Sequence, residues 1–215
     1  MSWNHGLTIM DRLAERRPAA AGRYLDGMLR GRFNRLLVPA LRVVLETGPA
    51  LADALTERIA AESDPALIRA ALAEVPNSTL SLGAFGYAAT RRLIELETDV
   101  ETSGGEDAWL ERAATLALLA HRARALGHAN EALDAATAAV AFSRRMGARF
   151  PGQHRAALAN ALYMQAGLLS DLGRAAEAVR ACGTAIRLVR RLAAEAPGEF
   201  EPLLCDLLSD QAGYQ

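Results

Sequence analysis

Four histidines, two cysteines and 24 arginines are the side chains of this sequence best equipped for chemistry, and their spacing limits what that chemistry is. His121 or His154 acting as a general base would need a nucleophile or an orienting carboxylate in a recognisable arrangement, and neither histidine has one. His121 and His128 stand seven residues apart, two helical turns, whereas a metal shared along a helix wants ligands one turn apart; with His5 and His154 they form no HExxH motif. Cys182 and Cys205 are 23 residues apart, without the CxxC spacing of a redox or zinc site, and read as reduced, packed thiols. All 24 basic residues are arginine. A GxxxxGK[ST] phosphate loop and Schiff-base chemistry both need a lysine amine, so this chain can build neither. It is therefore expected to be noncatalytic, with no cofactor and no metal, and the arginine bias itself reads as a GC-rich codon preference.

The elements that must position these side chains are helices. Of 215 residues, 51% are apolar and only 5% aromatic, alanine is abundant throughout, and the formal net charge is −1. Alanine favours helices whose backbones approach closely, and this composition suits sheets poorly. No N-terminal apolar run resembles a secretory core, and no stretch reaches the ~20 apolar residues of a membrane span, so a cytoplasmic protein without membrane contact is expected. The pattern also repeats. An offset of 46 carries Leu126-Gly127 onto Leu172-Gly173, Glu131-Ala132 onto Glu177-Ala178, Arg144-Arg145 onto Arg190-Arg191, and Gln165-Ala166-Gly167 onto Gln211-Ala212-Gly213. Repetition at this period marks stacked units that cannot bury their apolar faces alone, the pattern of an open solenoid.

Residues 1–97 are expected as an N-terminal helical segment. The first 42 residues hold eight arginines against Asp11, Glu15 and Asp26, a local balance of +5. Arg23, Arg30, Arg32 and Arg35 interleave with Tyr24, Leu25, Met28, Leu29, Leu36 and Leu37 at helical spacing. That is the pattern of a solvated face over an apolar stripe, the other reading being an anion-contacting face. Pro39 and Gly48-Pro49 read as helix starts or breaks. Helices are expected over 50–61, after a Ser63-Asp64-Pro65 cap, and over 79–97. Residues 98–107, with Ser103-Gly104-Gly105, read as a linker. Beyond it five helices are expected, over about 107–126, 129–149, 153–172, 175–195 and 200–213. Gly127 and Gly173, which follow the first and third of these, should take the left-handed conformation that ends a helix.

Leu162, Ala166, Leu172-Gly173, Ala178 and Ala185, and in the preceding unit Leu116, Ala120, Leu126-Gly127, Ala132 and Ala139, have a spacing that resembles the tetratricopeptide repeat. The likeness is specific to residues 108–215, which read as two clear repeats and a partial third that stops before its turn, either as a cap or as a piece of a longer array. Three features depart from the family. The period is 46 rather than about 34, the second helix runs on to Pro197, and Gln165 and Gln211 stand where leucine is usual. The long second helix is similar to extended repeats of high-GC Gram-positive bacteria, which often follow a nucleotide-switch ATPase domain.

The resemblance implies an all-α fold, a right-handed solenoid of antiparallel helix pairs, with the first helix of each pair lining a concave groove. Carried over position by position, the polar groove residues are His121, Arg124, Asn160, Tyr163 and Asp171. Arg124 would pair a ligand carboxylate and Asn160 would grip a peptide backbone. In the alternative, Arg124 and Asp171 pair with each other, His121 caps local backbone and Tyr163 packs in the core. The function implied is a noncatalytic protein- or peptide-binding scaffold or sensor module. A second reading is a ligand-responsive regulator whose basic N-terminal helices contact DNA; otherwise nucleic acid is not an expected partner.

Overall fold

In a computed structural model, the described residues are 33–47, 51–76, 81–150 and 154–214, together with Ile9, Arg12 and Arg16; they are helical with short connections, and no strand occurs among them. The chain divides into two compact units, residues 1–98 and 99–215. Among the described residues no helix is long and apolar enough to cross a membrane.

In the first unit, α1 (Phe33–Thr47), α2 (Ala52–Ala60), α3 (Pro65–Ala73) and α4 (Gly83–Leu96) share one core, with α4 packed on α2 and α3. Leu37, Leu41, Leu55, Ile59, Ile68 and Phe85 are fully buried in it. α3 starts where its sequence directs: the Asp64 carboxylate accepts the Ala66 N–H at 2.9 Å, and Pro65, which has no N–H to satisfy, takes the first helical position. Pro39 departs from expectation, lying inside α1 rather than at a break. The missing N–H leaves the carbonyl of Arg35 without its usual helical partner. Buried Leu36, Leu37, Ala40, Leu41, Val43 and Val44 flank the proline and hold the helix through it. α4 begins at Gly83, later than the expected Thr79. Of the arginine-rich stripe, Arg35 is exposed while Leu36 and Leu37 are buried; Arg23, Tyr24, Leu25, Met28, Leu29, Arg30 and Arg32 lie outside the described residues, as do His5 and Gly48-Pro49.

The second unit holds α5 (Val100–Ser103), α6 (Glu106–Ala125), α7 (Ala129–Arg149), α8 (His154–Asp171), α9 (Ala175–Glu195) and α10 (Pro197–Gly213). The segment read as a linker, 98–107, thus contains the single turn α5 and the start of α6; Glu101 of α5 accepts a 2.6 Å ion pair from Arg145. From α6 onward each helix packs on the next, and α6 also packs on α8. Both expected glycine turns are present. Gly127 and Gly173 have φ of 78° and 71°. In each turn the glycine N–H bonds back to Arg124 or Ser170, and the next N–H to Ala123 or Leu169, which satisfies carbonyls left over at the helix end.

Small residues sit where the helices meet. Ala120, Ala132, Ala139, Ala166, Ala178 and Ala185 are all fully buried, as close backbone approach at native packing density requires. The 46-residue register even survives a change of chemistry. The Arg149 guanidinium lies 6.0 Å from the Trp109 ring; their counterparts, Glu195 and Arg155, form a 2.6 Å ion pair tying the end of α9 to the start of α8. α10 starts at Pro197, three residues before the expected 200, because proline is accommodated in the first helical turn. In this partial unit Leu208 and Ala212 are exposed, whereas their counterparts Leu162 and Ala166 are buried. Cys182 is buried, donates to the Leu207 carbonyl at 3.4 Å, and has its thiol pKa pushed up by burial and by Asp210. Cys205 corrects the expectation of two packed thiols: it is on the solvent side of α10.

Candidate functional site

Helix α8 presents different residues on two sides, since positions three, four and seven apart share a helix face. Tyr163, Gly167, Ser170 and Asp171 lie along one side, and Leu162, Gln165 and Leu169 along the other. Each side opens onto a cleft.

The first cleft, of about 330 Å³, is lined by Arg124 of α6, by the Tyr163 side of α8, and by Asp210 and Tyr214 at the end of α10. Arg124 Nε donates to Asp171 Oδ2 at 2.8 Å, with both side chains nearly half exposed. The guanidinium lies over Gly167, where an added Cβ would stand 3.4 Å from Arg124 Nη1, an ordinary contact distance. Tyr163 donates its phenol proton to Asp210 Oδ2 at 3.0 Å, and the Tyr214 hydroxyl reaches the same oxygen at 3.5 Å. Burial, reinforced by the bond to Asp210, pushes the Tyr163 phenol up to about 12; burial and the Asp210 charge do the same for Tyr214. Both phenols are therefore neutral at physiological pH. Two carboxylates face one guanidinium, so the cleft is acidic on balance.

Three of the five expected groove residues, Arg124, Tyr163 and Asp171, come together here. His121 and Asn160 are exposed on α6 and α8 and do not line this cleft. Arg124 is engaged by Asp171 rather than free for a ligand carboxylate, the alternative the sequence left open. Tyr163 is half-buried and tied to α10, not sealed in the core. Asp210 and Tyr214 are what sequence reasoning missed. The offset of 46 reaches Asp210 from Met164, an apolar position that gives no hint of a functional counterpart.

The second cleft, of about 390 Å³, lies between α7, α8 and α9. Leu133, Leu162 and Leu169 contribute its apolar lining, and Arg144, Arg174 and Arg180 its positive charge, opposed by Glu177. Arg174 gives Nε and Nη2 to the two Glu177 oxygens at 2.7 and 2.9 Å, which holds that carboxyl below the usual carboxylate range. Gln165, one of the two departures from the expected leucine, has its physical reason here: its Nε2 donates to Thr137 Oγ1 at 2.9 Å across the cleft. Arg144, Arg174 and Arg180 are not among the candidate residues of the sequence, where no motif marks this cleft.

His154 is half-buried with its ring against Gly147, and its Nδ1 has no hydrogen-bond partner. Among the described residues no group of three or more His, Cys, Asp or Glu side chains is placed to hold a metal. Comparison of the chain with protein-family models, curated proteins and solved structures finds no match.

Proposed function

We propose that residues 108–215 are a tetratricopeptide-like solenoid and that the protein is a noncatalytic, cytoplasmic interaction or sensor module, holding a peptide or protein segment in the Arg124–Tyr163–Asp171–Asp210 cleft. The observation that carries this reading is the origin of the lining. One cleft draws side chains from α6, α8 and α10, the first helices of three successive units. The packing of each helix on the next, with α6 also against α8, supports the solenoid, as does the burial of the six equivalent alanines. The lining also favours one kind of occupant. Two phenol rings, the Met164 thioether and an excess carboxylate suit a cationic side chain, which gains both from the ring faces and from the charge.

Selection of a random peptide library on the immobilised full chain tests the reading. Selected peptides should be enriched in arginine or lysine. Their affinity should fall about tenfold or more, a loss of ~1.4 kcal/mol, in a Tyr163→Ala, Asp171→Asn variant that keeps the wild-type helical content. Equal affinity of that variant for every selected peptide would defeat the cleft assignment.

A further inference from the structure

The cleft on the other side of α8 has the opposite chemistry. Its three arginines face one carboxylate, Glu177, and both oxygens of that carboxylate are taken by Arg174. Arg174 spends two of its five N–H donors on that pair and keeps the rest. Arg144 and Arg180 are exposed, and neither is within ion-pair distance of a carboxylate among the described residues, although the Arg180 charge also acts on Glu177. The hydroxyls differ as well. Thr184 is committed, donating to the Arg180 carbonyl and accepting from Arg187, both at 3.0 Å. Thr137 accepts from Gln165, so its own proton is left to point at a ligand. The polar groups still available are therefore overwhelmingly donors, and the net formal charge of the ionised lining is positive.

We propose that this α7–α8–α9 cleft binds a small organic oxyanion carrying two or more negative charges. Arg144 and Arg180 grip the anionic groups, Thr137 donates a further hydrogen bond, and Leu133, Leu162 and Leu169 receive the carbon skeleton. Guanidinium forks bind carboxylate and phosphoryl oxygens through charge-assisted hydrogen bonds, and a cleft with one sign of charge concentrates counter-ions of the other. A volume of about 390 Å³ lies in the range of small-molecule sites and exceeds what a single inorganic phosphate fills. Phosphoryl and carboxylate groups present the same chemistry to these donors, and the choice between them is left to the measurement.

Calorimetric titration of the full chain at low ionic strength, with pyrophosphate in one arm and citrate in the other, tests the inference. Saturable one-site binding of at least one probe is expected, pyrophosphate alone marking a phosphoryl ligand and citrate alone a polycarboxylate. An Arg144→Gln, Arg180→Gln variant should bind that probe about tenfold more weakly or worse, with its helical content unchanged because both side chains are exposed. Thr137→Val should weaken it less. Asp171→Asn, in the other cleft, should bind it as wild type does, which separates this site from the proposed peptide cleft. Failure of both probes to saturate below about 10 mM, an affinity weaker than ~3 kcal/mol, would overturn the proposal. Unchanged binding by the double arginine variant would overturn it too.

Discussion

The two clefts share helix α8 as a wall and are similar in size, yet they differ in charge and in the hydrogen-bonding groups left to a ligand. The Tyr163 cleft is built from first helices, carries an excess carboxylate, and has its one arginine already paired. The Arg144 cleft uses second helices for its other walls, carries excess guanidinium, and leaves donors unspent. Equivalent positions do not produce the difference. The offset of 46 takes Arg124 to Ser170, Thr137 to Gly183 and Asp134 to Arg180. A repeat therefore fixes the spacing of the helices through its alanines, while residues that break the repeat give each cleft its charge.

Disrupting the shared wall should have the largest effect. Ala166 is fully buried where α8 meets its neighbours, so Ala166→Leu should destabilise the second unit by about 1–3 kcal/mol and weaken both clefts together. Denaturant unfolding reads the first effect, and wild-type stability would show that the helices are not in close approach there. Two helical glycines sharpen the contrast. At Gly147 an added Cβ would stand 2.6 Å from His154 Cδ2 and 2.8 Å from Cγ, atoms too near the root of the side chain to give way. Gly147→Ala should cost about 1–2 kcal/mol despite its better helix propensity. At Gly167 the neighbour is the flexible tip of Arg124 at 3.4 Å, so Gly167→Ala should gain about 0.5–1 kcal/mol while narrowing only the acidic cleft. Urea midpoints moving in the same direction for both variants would contradict this.

How much of this was legible in the sequence depended on which residues carried it. Gly127 and Gly173 announced the turns because a left-handed helix end is a local backbone demand, and the ends of α6 and α8 and the starts of α7 and α9 followed from them. Buried alanines could be placed because close packing tolerates only a small side chain. Pro39 misled, since a buried apolar stripe on both sides outweighed one lost hydrogen bond. The clefts were only partly visible. The resemblance placed Arg124, Tyr163 and Asp171 in one groove, but Asp210 and Tyr214 join them through tertiary packing of α10, and Arg144, Arg174 and Arg180 stand in no motif that marks a site.

Smaller effects probe the acidic cleft itself. Because Arg124 and Asp171 are each nearly half exposed, a double-mutant cycle on the pair should return only about 0.2–1 kcal/mol. A much larger coupling would mark the pair as structural rather than available to a ligand. Burial first, and then the bond to Asp210 with Asp206 and Cys182 nearby, raises the phenol of Tyr163 from 10.0 to about 12. A raised pKa favours the neutral form in the folded state. The stability it adds is therefore present below about pH 10 and lost as pH rises through about 12. The tyrosinate absorbance that Tyr163→Phe removes should accordingly appear near pH 12; appearance near pH 10 would mean that Tyr163 is neither half-buried nor bonded to Asp210.

If the two sites act independently, α8 separates two clefts of opposite preference. Amide-resolved NMR titration of the full chain, with a short arginine-rich peptide and then with pyrophosphate and citrate in separate samples, tests that independence most directly. The peptide should shift amides around Arg124, Tyr163, Asp171 and Asp210, and at least one of the two anions those around Thr137, Arg144 and Arg180, each set staying fixed while the other moves. Peptide and anion shifting one common set, or neither shifting its own, would contradict the account.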